Sequence, residues 1–188
     1  MTIDLREKIM TEAATRFVAS GYHAVSMREI AEAVGASKAA IYYYFADKEA
    51  LLLAIMEHSL TQLIHIMQTG ANAHTDTEQQ LLAMVQGLLG LDAVQRAAMR
   101  LAMFELQHLG EAERKQFGLR YEREFIECIR AVLRAGQASG QIRVMDVQAA
   151  TWALLGLLYP FSLTQARGHD VPTLSRTLVD LFLHGVGR

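Results

Sequence analysis

Apolar residues recur every three or four positions along most of the chain, which is the spacing of amphipathic α-helices. In the first segment, Leu5, Ile9, Ala13 and Phe17 stand four apart and form one stripe. No segment sustains the apolar/polar alternation of a strand. The pattern therefore predicts an all-α protein. About nine helices are expected, near residues 4–20, 27–34, 38–44, 48–70, 76–90, 93–109, 111–138, 146–167 and 171–186.

Residues that favour helix ends stand at the borders of these segments. Ser26 with Glu29, and Thr75 with Glu78, match the capping box, in which a side-chain oxygen accepts an orphan backbone N–H and the carboxylate accepts one in return. Further N-caps are expected at Asp47, Asp92, Asp146 and Asp170. Left-handed helix ends are expected at Gly21, Gly110, Gly140 and Gly168.

Two short helices near the N-terminus form the most informative pattern. The segments 27–34 and 38–44 are joined by a tight turn that contains Gly35 and is capped by Ser37. This is the helix-turn-helix arrangement, whose second helix enters the major groove of DNA. The outward residues of that second helix are Lys38, Ala39, Ala40, Tyr42, Tyr43 and Tyr44. Small residues permit close approach to base edges, while lysine and tyrosine contact phosphates, guanine or thymine methyl groups.

The N-terminal segment resembles the signature of the TetR family of transcriptional repressors over about 55 residues. The residues that carry the resemblance are Ala13, Ala14 and Phe17; Gly21 and Tyr22; Ser26 to Ala31; Val34 to Lys38; Ile41 to Phe45; and Lys48 to Leu52. It implies a helix-turn-helix domain at residues 1–47 and a ligand-binding and dimerisation domain at residues 48–188. The fourth helix is expected to connect them, because no Pro-, Gly- or Ser-rich linker intervenes.

The resemblance also implies DNA-contacting roles for individual residues. Ser26 and Arg28 would face phosphate or a base edge, and Ser37 would cap the reading helix. The expected base-side residues are Lys38, Ala39, Ala40 and Tyr43, and the expected phosphate anchors are Tyr42, Tyr44 and Lys48. An alternative interpretation places Tyr42 to Tyr44 in an aromatic hinge against the fourth helix. Residues 1–50 hold six Lys/Arg against seven Asp/Glu, so modest non-specific DNA binding is expected.

The remaining chain suits a sensor bundle. Nine methionines are consistent either with an adaptable ligand cavity or with ordinary core filling. Candidate ligand-binding residues are His65, Gln68, Met84, Met103, Gln107, His108, Tyr121 and Trp152. The last two helices are apolar on more than one side, and the resemblance implies that they pair with their copies in a homodimer. Candidate interface residues are Gly156, Tyr159, Leu178, Leu181, Phe182 and Gly185.

Composition indicates the cellular location of this predicted regulator. Cys128 is the only cysteine, which fits a reducing cytoplasm and a core position rather than a sensor. Residues 1–10 lack the apolar stretch of a signal peptide. The longest apolar run, 149–163, falls short of the ~20 residues that cross a bilayer. A cytoplasmic protein without membrane partners is therefore predicted.

Three functional hypotheses remain at this point. The first is a repressor that leaves a palindromic operator in double-stranded DNA when a small, largely apolar effector binds the bundle. The second is a constitutive DNA-binding regulator without an effector. The third, an enzyme or metal protein, is disfavoured because His58 and His65 stand alone, without a catalytic or metal-binding motif. No cofactor is expected.

Overall fold

The structure, a computed structural model, describes residues 4–164 and 168–185. Those residues are predominantly helical and contain no strand, which confirms the predicted all-α class. The helices are α1 (Leu5–Ser20), α2 (Met27–Val34), α3 (Lys38–Tyr44), α4 (Lys48–Asn72), α5 (Thr77–Leu89), α6 (Ala93–Phe104), α7 (Glu111–Arg120), α8 (Glu127–Ala138), α9 (Val147–Ser162) and α10 (Val171–His184). A π-helical segment, Tyr121–Ile126, joins α7 to α8 without a break.

The predicted boundaries agree closely with this structure, with two differences. The helix expected at 93–109 ends at Phe104, and a separate 3-10 turn, Leu106–His108, follows. The helix expected at 146–167 ends at Ser162, and residues 165–167 lie outside the described residues. The expected helix 111–138 is continuous, although six residues near its middle are π-helical rather than α-helical.

Most predicted caps are present. Ser26 and Glu29 form the capping box, and Asp92 forms a second one with Gln95. The cap of α5 is Asp76 rather than the predicted Thr75, because the Asp76 carboxylate accepts the backbone N–H of Gln79. The predicted caps Asp47, Asp146 and Asp170 also accept backbone N–H groups.

Gly110 does not end a helix in a left-handed conformation, so that prediction was wrong. Instead, Gly110 directly precedes α7, and its backbone N–H donates to Oε1 of Glu49 at 2.6 Å. Sequence pattern alone could not distinguish the two roles, because the acceptor lies 61 residues away.

The chain divides into two compact units. The first unit comprises the chain up to Leu60 together with Asp92–Phe117, and the second comprises Thr61–Leu91 and the chain from Gly118 onward. Within the first unit, α1 packs against α2 and α6. Within the second, α5 packs against α8, α9 and α10. The sequence predicts a different division, between a DNA-binding domain at residues 1–47 and a ligand-binding and dimerisation domain at residues 48–188. That division is defined by function and stays a prediction.

Helix α4 runs through the boundary between the two units, as the absence of a linker predicts. Within the described ranges it is the one helix long and apolar enough to cross a bilayer by length and composition. Half of its most apolar stretch is buried within the protein, a property that it shares with the core helices of soluble proteins.

Candidate DNA-binding surface and sensor residues

The helix-turn-helix is built by local caps and a small apolar core. Ser26 starts α2, Gly35 ends it with φ of 69°, and the Ser37 hydroxyl accepts the N–H of Ala40 to start α3. A positive φ favours glycine, so this residue fits the turn. Ile30 and Ile41 are fully buried, which fixes the inner faces of both helices. The outer face of α3 is therefore set by its register.

The three tyrosines of α3 occupy different environments. Tyr43 is 84% exposed and Tyr42 is 42% exposed. Tyr44 is half-buried, with its ring edge-on to Tyr43 at 5.2 Å and tilted against Phe45 at 6.4 Å. Lys38 and Ala39 are also exposed, while Ala40 is half-buried. Tyr43 is thus the most prominent side chain on the surface predicted to read DNA, and Tyr44 borders the module's core.

The cations of this surface differ in how they are engaged. Arg28 is 79% exposed, and its Nε donates to the Glu32 carboxylate at 2.8 Å. This hydrogen bond, with the charge of Glu32, raises the pKa of the Arg28 guanidinium. The Lys38 ammonium lies 5.6 Å from the centre of the Tyr42 ring, where it remains open to solvent.

Lys48, a predicted phosphate anchor, is held by the protein itself. Its ammonium donates to the backbone carbonyls of Tyr22 at 2.8 Å, Val25 at 2.9 Å and His23 at 3.4 Å. It also lies 4.4 Å from the centre of the Tyr22 ring. An ammonium has three donors, so these three carbonyls can use all of them. The structure thus assigns Lys48 to fixing the turn between α1 and α2.

We expect Lys48→Met to lower the stability of the protein without changing the salt dependence of DNA binding. A hydrogen bond to a charged group contributes about 1.5–3 kcal/mol, so the net loss of even one bond of this clamp should lower the melting temperature by about 3–12 °C. Thermal unfolding and operator titrations over a salt series check both parts. An unchanged melting temperature with a salt slope flatter by ~0.9 would instead support the phosphate-anchor role.

We expect Glu32→Gln to strengthen DNA binding severalfold, because a weak, exposed ion pair no longer competes with phosphate for Arg28. The salt slope should steepen by ~0.9 for each subunit bound, as one further cation per subunit becomes available. Glu12→Gln is the matched control, since Glu12 forms the same i,i+4 pair with Arg16 on α1. Equal effects of the two substitutions, measured by fluorescence anisotropy, would contradict this assignment.

Three aromatic rings connect the helix-turn-helix to the 3-10 turn within the first unit. We call Tyr22, His23 and His108 the Tyr22 cluster. Tyr22 stacks on His108 with ring centres 5.0 Å apart, and His23 meets His108 edge-on at 4.3 Å. Nε2 of His108 lies 3.0 Å from Oε2 of Glu105. Burial first, and then nearby carboxylates such as Glu49, raise the pKa of the Tyr22 phenol, which keeps it neutral.

The Tyr22 cluster contains His108, a predicted ligand-binding residue. Its ring packs on Tyr22 and His23, and the ligand-binding role stays a prediction. Tyr22 and Glu49 are part of the family signature in the sequence but were assigned no role there, and His23 is not part of that signature. No local signal identifies them, because their partners lie more than 60 residues away.

The other candidate ligand-binding residues are distributed over both units. Met103 and Gln107 belong to the first unit and are exposed. In the second unit, Met84 is buried in the core. His65 and Gln68 are exposed on α4. Gln68 borders an open groove of about 290 Å³ that also includes Cys128, whose thiol has a pKa raised by burial.

Tyr121 is the candidate whose surroundings are most specific. Its hydroxyl lies 2.5 Å from the hydroxyl of Tyr159, and its ring stacks on Phe125 with centres 5.1 Å apart. Burial, followed by the neighbouring Tyr159, raises the pKa of Tyr121. Both phenols therefore stay neutral, and the pair connects the π segment to α9 inside the second unit.

One side of α9 is apolar and exposed. The exposed apolar residues on it are Ala149, Trp152, Ala153, Gly156 and Pro160, and the polar Gln148 lies at its N-terminal end. A Cβ at Gly156 would meet no atom within 4 Å. Trp152, predicted as a pocket wall, is 45% exposed on this side.

The predicted interface residues of α10 divide into two groups. Leu178 is only 4% exposed and packs inside its own chain, so it is a core residue of the subunit, and its predicted contact with a second copy stays a prediction. Leu181 and Phe182 are half-buried, and Gly185 follows the end of the helix with φ of 75°. These three, with Gly156 and Tyr159 on α9, stay predicted interface residues.

A search for metal sites gives a negative result over residues 4–164 and 168–185. There, no group of three or more His, Cys, Asp or Glu side chains could hold a metal ion. His58 and His65 therefore belong to no such group of three or more in the part of the chain that the structure describes.

Together, an exposed reading helix in a helix-turn-helix and a second, purely helical unit define a DNA-binding transcriptional regulator. Sequence comparison supports this class. The profile of the bacterial regulatory proteins of the tetR family matches residues 9–55, and that of the tetracyclin repressor-like C-terminal domain matches residues 74–186. The chain belongs to the TetR family.

Curated relatives include both activators and repressors. The HTH-type transcriptional activator FasR of Mycolicibacterium smegmatis is 35% identical over 81 residues, which cover 43% of this chain but only 37% of FasR. The HTH-type transcriptional repressor KstR2 of Rhodococcus jostii is 28% identical over 146 residues, which cover 77% of this chain and 72% of KstR2. The first match is thus confined to a minor part of its relative.

Solved structures share the whole fold. The TetR family regulator PfmR of Thermus thermophilus superposes with a TM-score of 0.82 and 27% identity, covering all of both chains. FadR of Bacillus subtilis in complex with stearoyl-CoA gives 0.79 and 22%, covering 96% of this chain and 98% of FadR. AibR in complex with isovaleryl coenzyme A and operator DNA gives 0.79 and 19%, with the same coverage. The last two likenesses concern the fold alone.

Proposed function

We propose that this protein is a homodimeric repressor that binds a palindromic operator and is released when a small, largely apolar effector binds its helical bundle. The observation that carries the proposal is α3, which presents Tyr43, Lys38 and Ala39 to solvent on a rigidly capped helix-turn-helix. Such a helix reads about half of an operator, so two copies are needed for a palindromic site.

The dimer part of the proposal is supported by α9. An exposed helical face without charged residues is costly to leave in water, and two-fold symmetry allows such a face to cover its own copy. Trp152 supplies a large apolar surface there, and Gly156 permits close approach of a second helix. This face is expected to form the core of the interface.

The effector part is supported by the apolar interior and by the related folds. Burying the acyl chain of a lipid-like ligand among leucine, methionine and phenylalanine side chains is favoured by the hydrophobic effect. FadR binds stearoyl-CoA and AibR binds isovaleryl coenzyme A in their crystal structures. An acyl thioester is therefore the ligand class that we propose to test first.

Release requires that the bundle and the reading helix be coupled. In the first unit, His108 stacks on Tyr22, and the N–H of Gly110 donates to Glu49 at the start of α4. The segment 105–110 therefore contacts the turn before α2 at Tyr22 and the start of α4 at Glu49. A ligand that displaces this segment would reposition the reading head, and a coupling of ~1–3 kcal/mol would lower operator affinity about 5- to 150-fold.

The test uses the purified full-length dimer and a palindromic fragment from its own promoter. Specific binding should exceed binding to a shuffled fragment by about 1,000-fold or more. Addition of stearoyl-CoA should then weaken operator binding, while free coenzyme A should not. Equal affinity for both fragments would contradict the repressor, whereas tight binding that ignores stearoyl-CoA would contradict only the acyl-thioester effector.

A further inference from the structure

Arg130 on α8 is a mostly buried guanidinium group with an unfilled donor. Its side chain is 16% exposed, and its Nη1 donates to the Glu122 carboxylate at 2.6 Å. Its Nε is completely buried and has no hydrogen-bond partner among the described residues. Arginine is rarely buried unless it is paired, and a buried N–H without an acceptor is destabilising. Such a group calls for a physical explanation.

The π segment explains how Arg130 comes to lie along the interior. In a regular α-helix, residues seven apart lie on the same face two turns later, as Glu127 and Arg134 do when they form their ion pair. Glu122 and Arg130 are eight apart and also pair. The wider turn of the π segment takes up the extra residue and aligns them. Ile126, midway between them, is fully buried, so this part of the helix faces the core between the two paired residues.

The charge of this segment favours an anion. Residues 120–134 contain four arginines and three glutamates. Glu124 forms ion pairs with both Arg120 and Arg123, and Glu127 forms one with Arg134. One positive charge is therefore in excess in residues 120–134, and it lies where Arg120 and Arg123 share Glu124, since Arg130 pairs with Glu122. Of these arginines, Arg130 is the least exposed, and an electrostatic attraction is least screened where water is excluded.

We propose that Arg130 binds the oxyanion of an amphipathic effector, with the apolar tail of that effector in the interior of the second unit. Nη1 is occupied by Glu122, but Nε and the adjacent Nη2 form the side-on fork of the guanidinium. This fork matches the two oxygens of a carboxylate or phosphate. The inference rests on the proposed function, because it names the charged end of the same effector.

The test measures binding of three twelve-carbon probes to the full-length protein by isothermal titration calorimetry. Laurate and dodecyl phosphate carry the two oxyanions, and dodecanol carries the same tail without charge. We expect at least one oxyanion to bind tenfold or more tighter than dodecanol. Arg130→Gln should weaken that oxyanion about 10- to 100-fold and leave dodecanol within twofold. The tighter of the two oxyanions identifies the head group.

Two further variants exclude a merely structural effect. Arg134→Gln removes the neighbouring two-turn pair, which is exposed, and should leave all three probes unchanged. Arg130→Lys keeps the charge but removes the side-on fork, so it should weaken binding of the oxyanion severalfold while the protein remains folded. If Arg130→Gln does not fold, the result for Arg130→Lys decides whether Arg130 binds the oxyanion.

Three results would overturn the inference. Equal loss for dodecanol and the oxyanions in Arg130→Gln would indicate a packing role, and no loss would exclude Arg130 from the site. If dodecanol binds the unmodified protein as tightly as the oxyanions, the anion anchor is wrong while an apolar effector stands. If no probe binds, the inference fails, while the effector part of the proposed function is decided separately by the effect of stearoyl-CoA on operator binding.

Discussion

Gly156→Glu is expected to convert the dimer into monomers and to lower operator affinity by at least about 100-fold. A side chain at residue 156 would enter open space on α9, beside Trp152, Ala153 and Pro160. The free subunit should therefore tolerate the substitution, and loss of a helical glycine should stabilise the helix by about 0.5–1 kcal/mol. In a two-fold interface, however, two unpaired carboxylates would be buried, which strongly opposes association.

Analytical ultracentrifugation and operator titrations at the same protein concentrations measure the two effects. Gly118→Glu is the matched control, because Gly118 also lies within a helix, is exposed and has no atom within 4 Å of an added Cβ. That variant should remain dimeric and bind the operator normally. If Gly156→Glu remains as dimeric as the control, α9 does not form the interface. The dimer that binds the two halves of the operator would then have to form through another surface.

Tyr43→Ala is expected to lower affinity for the operator about 10- to 100-fold while affinity for unrelated DNA changes less than twofold. Direct contacts to bases contribute about 1–3 kcal/mol of discrimination each, whereas non-specific binding depends on the cations. Because Tyr43 is 84% exposed, its removal should leave the melting temperature unchanged. Competition titrations with operator and shuffled fragments, together with thermal unfolding, check these outcomes.

The variant Tyr43→Phe separates the two kinds of contact that a tyrosine can make. Retained specificity would indicate packing on thymine methyl groups, and a loss similar to that of Tyr43→Ala would indicate hydrogen bonding through the hydroxyl. Should Tyr43→Ala weaken operator and shuffled DNA equally, Tyr43 would be a backbone contact rather than a base-reading residue.

The sequence predicted those features whose interacting groups lie close together along the chain. The capping box of Ser26 and Glu29 and the i,i+4 apolar spacing of the first helix involve neighbours on one turn, and both are present in the structure. The predicted cap of α5, Thr75, was wrong by one residue, because the neighbouring Asp76 is an equally good N-cap. Periodicity could not reveal the π segment, since its one-residue shift leaves the apolar pattern of residues 117–133 almost unaltered.

The sequence by itself determined the all-helical class, the position of the reading helix and the family, because capping, periodicity and turn residues are local properties of the chain. Only the tertiary structure decided that Lys48 clamps the turn beside Tyr22, that His108 stacks on that same ring, that Leu178 is a core residue and that Arg130 is buried. Each of these outcomes depends on packing partners or on solvent exclusion. Packing partners and solvent exclusion do not follow from any fixed spacing along the sequence, so no pattern of residue types could predict these outcomes.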